Sequence, residues 1–324
     1  MGDVFFSFRG RVVINVEALN MVESVGNYVK HRRVPVVVPG QYVTYMVPAI
    51  SGESIAHGYQ EVLARKAQEM GLPVCRLCSR GIFLKSTDVK VLRHSFGVNK
   101  IPDNEYDLEK MIVSNCVVED VGGFLFASEE RGVKVKNLKR TSTFYTGYMI
   151  PVYEALGSTV IEPQLHTRYA LGTPFVEERG QMIYYVELAS APYVFSFDLD
   201  TTPIGRSTYL YDKYGEPLIS EDEMIKRKIA ALEAFVDLVV ENMFGAKKTR
   251  YLPVIEWESF VAAVSDGTWT VPSPFTAKYI ESTYKKKEKI NRNTKLYVYK
   301  ADGDKSFEEV LLEAIEDAKK RVTG

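Results

Sequence analysis

The sequence predicts an α+β chain built around a ferredoxin-like core, on three observations. Apolar and polar residues alternate at period two near the amino terminus. Two later stretches carry apolar residues at helical spacing and end at glycine. Between them lie two segments rich in β-branched and aromatic residues. The elements therefore run strand, helix, two strands, helix, strand, with long inserts.

Val4 to Glu17 (VFFSFRGRVVINVE) reads as the first strand, with Val12, Ile14 and Val16 facing one way and Val13, Asn15 and Glu17 the other. Residues 18–50 hold short runs of Gly, Pro and Val around a basic cluster at Lys30 to Arg33. This is the pattern of a long excursion with strand pieces at Val34 to Val38 and Tyr42 to Val47. Ser51 to Met70 places Ile55, Tyr59, Val62, Leu63 and Met70 on one helical face, and Gly71 with Pro73 ends the helix. Residues 72–150 lack a dominant period and read as an inserted subdomain of mixed structure.

Ile161 to Leu171 and Gln181 to Phe197 read as neighbouring antiparallel strands, separated by a stretch with Gly172, Pro174 and Gly180. Asp198 to Leu218 is a polar and aromatic excursion. Ser220 and Glu223 then form a capping box for a helix with the stripe Ile225, Ile229, Leu232, Val236 and Val239, stopped by Gly245. Lys248 to Trp257 offers a closing strand. The tail beyond passes the cluster Lys285 to Lys287 and ends in an amphipathic helix, Ser306 to Arg321, capped by Ser306 and Glu309. The same order of elements builds the RNA-recognition motif, so the core is equally RRM-like.

With 324 residues, 46% of them hydrophobic, the chain has material for one large domain or two modest ones. No run of 18 apolar residues occurs and Met1 to Phe8 lacks the pattern of a signal peptide, so no membrane association is expected and the chain reads as cytoplasmic. Three cysteines are too few for a disulfide framework, in keeping with a reducing compartment. A net charge of -1 argues against a strongly basic clamp, so any nucleic-acid contact has to be local.

One local concentration surrounds the first helix, where Lys30, His31, Arg32 and Arg33 precede VPAISGESIAHGYQ (Val47 to Gln60). A helix opening at Ser51-Gly52 presents unpaired N–H groups and the positive end of its dipole. Ser51, Ser54 and His57 lie on or near its first turn, where they can bond a phosphate, although ordinary capping by Ser51 explains the same pattern. His166 and Arg168, two residues apart, share a strand face and suit either RNA or a half-buried sheet. A second concentration, Arg131 to Thr143 (RGVKVKNLKRTST), holds five Lys or Arg, among them Lys136, Lys139 and Arg140, beside Phe144, Tyr145 and Tyr148. A flexible basic loop next to aromatics can bind single-stranded nucleic acid, whereas most charge runs are solvated faces.

Cys75-x-x-Cys78, with His94 and Cys116 as further candidates, is a weak metal signal without a second tight pair, and no metal or other cofactor is expected. Catalytic signatures are thin. There are four His, no nucleophile elbow, Walker loop, HExxH or glycine fingerprint, and one close carboxylate pair, Asp198 with Asp200, better explained as a turn cap before Thr201-Thr202-Pro203.

Leu19-Asn20, Gly26-Asn27, the basic excursion and Ser51-Gly52-x-Ser54-x-x-His57 together resemble the guide-RNA-binding backbone subunit of Cascade. This is the Cas family seven protein of the RAMP superfamily, in its archaeal subtype I-A, DevR-like form. DVGGFLFA (Asp120 to Ala127), GYMIP (Gly147 to Pro151), LHTRY (Leu165 to Tyr169) and VELASAPYVF (Val186 to Phe195) are similar as well, so the resemblance covers most of residues 5–260. It implies a hand-shaped subunit: a discontinuous palm from residues 1–71 and 151–260, helical fingers inserted at 72–150, and a thumb-like projection, a candidate for 198–220, that reaches the next copy. The C-terminal extension, 261–324, matches less well.

By position the resemblance implies that Asn20, Asn27, Lys30, His31, Ser51, Ser54 and His57 hold the guide's sugar-phosphate chain, and it tips His166 and Arg168 towards RNA. The implied role is non-enzymatic: copies bind CRISPR guide RNA (crRNA), form a homo-oligomeric filament and present the guide for pairing with target DNA. Other Cascade subunits, including the Cas family five subunit, and a recruited helicase-nuclease are the implied partners. Two rivals stay open: a RAMP-type RNA-processing endoribonuclease using His57 or His166 as general acid or base, and a DNA-binding regulator, for which no helix-turn-helix is legible.

Overall fold

A computed structural model describes residues 2–38, 40–168, 174 and 182–324. The chain opens on β1 (Phe5–Glu17). It then passes through one hairpin of β2 (Met21–Val25) and β3 (Tyr28–His31) and another of β4 (Arg33–Val37) and β5 (Thr44–Pro48), and enters α1 (Gly52–Glu69). Residues 72–150 contain α2 (Val89–Phe96), α3 (Glu105–Asn115), α4 (Val117–Gly122), a hairpin of β6 (Phe124–Ala127) and β7 (Asn137–Arg140), and β8 (Phe144–Thr146). Next come β9 (Val160–Arg168), β10 (Met182–Asp200), α5 (Glu221–Val240), β11 (Val254–Ser265), α6 (Tyr279–Lys289), β12 (Lys295–Lys300) and α7 (Phe307–Thr323). The expected residues Tyr169 to Leu171, and Gly172 and Gly180 between the two strands, lie outside the described residues. Among the described residues no helix is long and apolar enough to cross a membrane.

The fold is mixed α+β. One sheet runs β12-β11-β1-β10-β3-β2, and β8 and β9 pair with the other edge of β10. Its pairings are antiparallel apart from a short parallel contact of β3 with β10. β1 occupies the middle because its alternation buries Phe6, Phe8, Val12 and Ile14 beneath α1, α5 and α7. Phe8 meets Phe195, Phe235, Trp257 and Phe260 at ring separations of 4.8–5.8 Å, which centres an aromatic core between sheet and helices. Gly58 lets α1 approach the chain beyond α5, since a Cβ there would lie 2.1 Å from the Met243 carbonyl oxygen.

The opposite face of β1 is polar and covered by the tail. Arg9 donates two bonds to Asp198 at 2.8 and 2.7 Å, Ser7 Oγ accepts from the Val271 amide, and Arg11 donates to the Pro274 and Phe275 carbonyls. Asp200 accepts from the Thr202 amide, the turn cap expected of it, while Asp198 is occupied by Arg9. The tail is thus integral to the sheet: β12 extends its edge, and α7, with the full Ser306–Glu309 capping box, packs on α5 and β11.

Four local expectations are corrected. The strand alternation inverts at a bulge, where the β1–β10 register shifts between Ile14 and Glu17 and Val16 takes φ 55°, so Val16 points to solvent and Glu17 is buried. The α5 stripe is rotated. Met224, Ala231, Phe235 and Leu238 are fully buried with Leu232 and Val239, while Ile225, Ile229 and Val236 are only half-buried, because Arg227 and Lys228 face inward. Ser220 caps α5 by accepting from the Glu223 amide, but the Glu223 carboxylate accepts from Arg227 instead of closing a box. The closing strand also starts later than expected, at Val254, and runs on to Ser265.

A buried ion network joins the 72–150 segment to this core. Asp120 accepts from Arg140 and from Arg227, the latter at 2.8 Å, and from the Gly205 amide. Glu109 accepts from Arg140 at 3.0 Å, from Ser207 Oγ at 2.8 Å and from the Thr208 amide at 2.9 Å. Arg140 also donates to the carbonyls of Asp120, Pro203 and Arg206. The side chains of all four ions are 0% exposed, so truncating one strands the others in a dry interior. Arg140→Ala is expected to cost about 3–5 kcal/mol of unfolding free energy in urea; a loss below about 1 kcal/mol would show the network to be dispensable.

Candidate nucleic-acid interface

The start of α1 is set by Asn20. Its Oδ1 accepts from the Ser51 amide at 2.7 Å and from Arg32 Nε at 2.9 Å, and its carbonyl accepts from the Arg32 amide. One side chain therefore gathers the end of β1, the strand leading into β4 and the opening of α1. Ser51 is buried and spends its hydroxyl as the N-cap, accepting from the Ser54 amide, so the capping reading of Ser51 holds. Ser54 is half-buried on the first turn. His57 is exposed one turn further on, with its ring edge against Phe83 at 5.1 Å. Asn20, Arg32, Ser51 and Ser54 thus come together, with His57 on the neighbouring turn.

His31 does not join them. Its side chain is fully buried: Nδ1 contacts the Arg32 carbonyl at 2.8 Å and Nε2 contacts Glu17 at 2.6 Å. A ring that donates from both nitrogens, to a carbonyl and to a carboxylate, is the imidazolium form. Burial opposes that charge, but the hydrogen bond to Glu17 and its charge override it and hold the His31 pKa above the ordinary 6.5. Glu17 also accepts from Tyr193 OH at 2.8 Å and from the Leu19 amide at 2.7 Å. The expected RNA contact at His31 is therefore corrected to an internal ion pair that holds the turn before Asn20.

The rest of the basic excursion lines the β2–β3 hairpin. Asn27 is exposed and donates to the Ile183 carbonyl, Lys30 pairs with Glu23 at 3.0 Å, and the exposed Arg33 pairs with Glu187 at 2.9 Å. Glu187 also takes the His31 amide and Tyr28 OH, so Arg33 leans on a carboxylate already organising the sheet. On β9 and β10, His166 stacks on Tyr184 at 5.2 Å and its Nε2 is 2.8 Å from Tyr251 OH. No sequence spacing signals that pair, because Tyr251 lies beyond α5. Arg168 closes β9, and its side chain lies outside the described residues.

The second basic concentration is in part a strand rather than a flexible loop. β7 pairs with β6, so Lys139 faces solvent and Arg140 faces the ion network, which removes Arg140 from the surface. Lys136 is exposed just before β7. Lys139 stands between two open grooves. One, of about 350 Å³, is lined by Ser142, Tyr145, Thr208, Tyr209 and Tyr214; the other, of about 610 Å³, by Phe83, Leu84, Phe124 and Leu125. Tyr209 and Tyr214 were not legible as site residues, since they join Tyr145 only when Thr208 bonds to Glu109. An exposed cation flanked by exposed phenol rings and hydroxyls is suited to a phosphate and stacked bases.

With both faces described, the known relatives can be compared. A family model described as "CRISPR-associated negative auto-regulator DevR/Csa2" matches residues 8–284. This chain belongs to the DevR/Csa2 family. The family includes proteins named Cas7/Csa2. Two come from Saccharolobus solfataricus. "CRISPR-associated protein Cas7/Csa2 1" is 36% identical over 87% of this chain and 86% of its own length, and "CRISPR-associated aCascade subunit Cas7/Csa2 2" is 35% identical over 95% and 96%. A chain of a solved structure described as "CRISPR RNA-guided surveillance complex, pre-nicking" superposes with a TM-score of 0.52 at 10% identity, covering 97% of this chain and 99% of that one. That likeness shows a shared fold.

The raised His31 pKa gives a sign for the pH dependence of stability in this Cas7/Csa2-family chain. The stabilisation from the charged ring is fully present below about 6.5 and is lost as pH rises through the higher folded-state value. Urea midpoints measured from mildly acidic to alkaline pH should fall across that window in the parent. They should lose that component of the fall in His31→Gln.

Proposed function

We propose that this chain binds CRISPR guide RNA as a backbone subunit of a Cascade-type interference complex in the cytoplasm. On this reading copies stack along the guide and leave its bases free to pair with target DNA. The observation that carries the reading is the form of the site: donors and aromatics spread over open faces. Asn20, Arg32 and the first turn of α1 supply one such face, and Lys139 with Tyr145, Tyr209 and Tyr214 supplies the other. Family membership and the relative named an aCascade subunit support it.

The connectivity β1, α1, β9, β10, α5, β11, with spatial order β11-β1-β10-β9, supports a ferredoxin-like, RRM-like palm. Residues 72–150 would be the fingers, a reading supported by their own apolar cluster around Leu108, Ile112, Phe126 and Leu138. The exposed turn carrying Tyr211 and Tyr214 would be the thumb-like projection of residues 198–220. The β4–β5 hairpin exposes Tyr42, Val43 and Met46 and would give a neighbouring copy an apolar ledge. The Cas family five subunit and a helicase-nuclease would join the assembled complex.

On this reading the chain does no chemistry of its own, and His57, its ring edge against Phe83, would be a ligand of the RNA. The endoribonuclease rival rests on one observation, the contact between His166 and Tyr251.

Unrelated single-stranded RNAs of equal length should bind within a few fold of one another by fluorescence anisotropy, since phosphate contacts dominate. The double variant Lys136→Ala/Lys139→Ala should flatten the plot of log affinity against log salt by roughly 1.4, the release expected for two phosphate contacts on a single strand. An unchanged slope in the folded double variant would remove this face from the interface.

His57→Ala and His166→Ala should each weaken binding by roughly 1–2 kcal/mol, the range of one hydrogen bond to a charged group or one stacked base. The parent should leave a guide-repeat RNA uncut. Metal-independent cutting that fell a hundredfold in His166→Ala or Tyr251→Phe would instead establish the endoribonuclease.

A further inference from the structure

The cysteines that gave only a weak metal signal in the sequence converge. Cys75, Cys78 and Cys116 are all buried, and their sulfurs lie within 4.8 Å of one another, whereas His94, the other candidate ligand, is exposed and stands apart. Tetrahedral zinc with sulfur ligands at about 2.3 Å places those sulfurs roughly 3.8 Å apart, a spacing this cluster meets with little movement. The segment after α1 is wound as a tight knuckle. The Cys78 amide points at Cys75 Sγ at 3.4 Å, the Gly81 amide donates to the Cys78 carbonyl, and Gly81 takes φ 73°, the left-handed turn that lets the chain leave. Amides directed at a sulfur stabilise it as a thiolate.

A second, independent feature lies near the same place. Glu119 lies in the first turn of α4, whose extended N-cap residue is Cys116, and its carboxylate stands outside the three-sulfur cluster itself. Glu119 is 1% exposed, and neither carboxylate oxygen makes a hydrogen bond of good geometry among the described residues, although the buried, likewise unpaired Ser86 hydroxyl is its neighbour. The nearby Lys85 donates its amino group to the Gly122 carbonyl instead. A buried carboxylate without a partner is costly unless a cation meets it.

We propose that Cys75, Cys78 and Cys116 hold a zinc ion, with Glu119 supplying the fourth ligand. Three thiolates and one oxygen form a soft, closed, four-coordinate set that suits a d10 ion with no redox chemistry. The ion would rivet the exit of α1 to the start of α4. The base of the 72–150 segment, and with it the Lys139 face, would then be held by a metal on one side and by the ion network on the other. This role is structural and does not depend on the RNA-binding proposal.

The test uses the full chain purified under reducing conditions. Elemental analysis should find one zinc per chain, and chelation should lower the melting temperature. Exchange into cobalt(II) should give thiolate-to-cobalt charge-transfer bands together with the visible bands of a tetrahedral ion. Glu119→Gln should weaken cobalt affinity by tenfold or more while keeping the charge-transfer bands. A folded parent that shows three titratable thiols, no bound metal and no cobalt spectrum would overturn the proposal. So would a Cys75–Cys78 disulfide in the parent that, once reduced, still takes up no cobalt. Because the parent itself supplies the spectrum, failure of a cysteine variant to fold would not blunt the test.

Discussion

Arg140, Arg227, Asp120 and Glu109 meet without solvent, and the placement of the Lys139 face depends on that contact. Removing four charges from water costs several kcal/mol each, so the cluster survives because nearly every lone pair and N–H is matched, by one another and by the backbone of residues 203–208 and 113–114. The reward is geometric. With Arg140 pinned inward, the alternation of β7 turns Lys139 outward, and the bonds from residues 207–208 to Glu109 bring Tyr209 and Tyr214 alongside it.

The same logic operates at the other face on a smaller scale. The bulge at Val16 admits Glu17 to the interior, Glu17 fixes the turn at Leu19 and the ring of His31, and the next residue, Asn20, is left in register to seat the first turn of α1. Buried polar groups here act as jigs. They hold neighbouring residues at the surface in defined directions while taking no part at the surface themselves. That division lets a chain of net charge -1 present Arg32 at one candidate face and Lys139 at the other.

What was legible in the sequence was what neighbours along the chain decide. The cap and apolar face of α1, the capping box of α7 and the core of β1 depend on residues within a turn or two, and they stand close to where the pattern put them. What was missed depends on partners far away. The inversion at Val16 follows from the register against β10. The rotation of α5 follows from Arg227 finding Asp120 and Lys228 finding Asp3, which brings inside two residues that any pattern assigns to solvent. Arg140 and Lys139 look alike as cations, and only the pairing of β7 separates them. Cys116 and His94 were equal candidates beside Cys75 and Cys78, and only the folding back of α3 and α4 selects Cys116. β12 was readable in principle, since KLYVYK alternates as a strand should, but its place at the sheet edge beside β11 is a tertiary fact.

The ion network also bears on how the chain is made. Asp120 and Arg227 are 107 residues apart, so at ribosomal speeds of roughly 5–20 residues per second the carboxylate emerges about 5–20 seconds before its second guanidinium. Throughout that interval the 72–150 segment can gather its own small apolar cluster but cannot dock. β1, the first strand to appear, waits longer still for its neighbour β11. Until β10 and then β11 are made, β1 is a hydrophobic strand without its sheet neighbours, the kind of transiently unpaired edge that makes a nascent chain prone to aggregate.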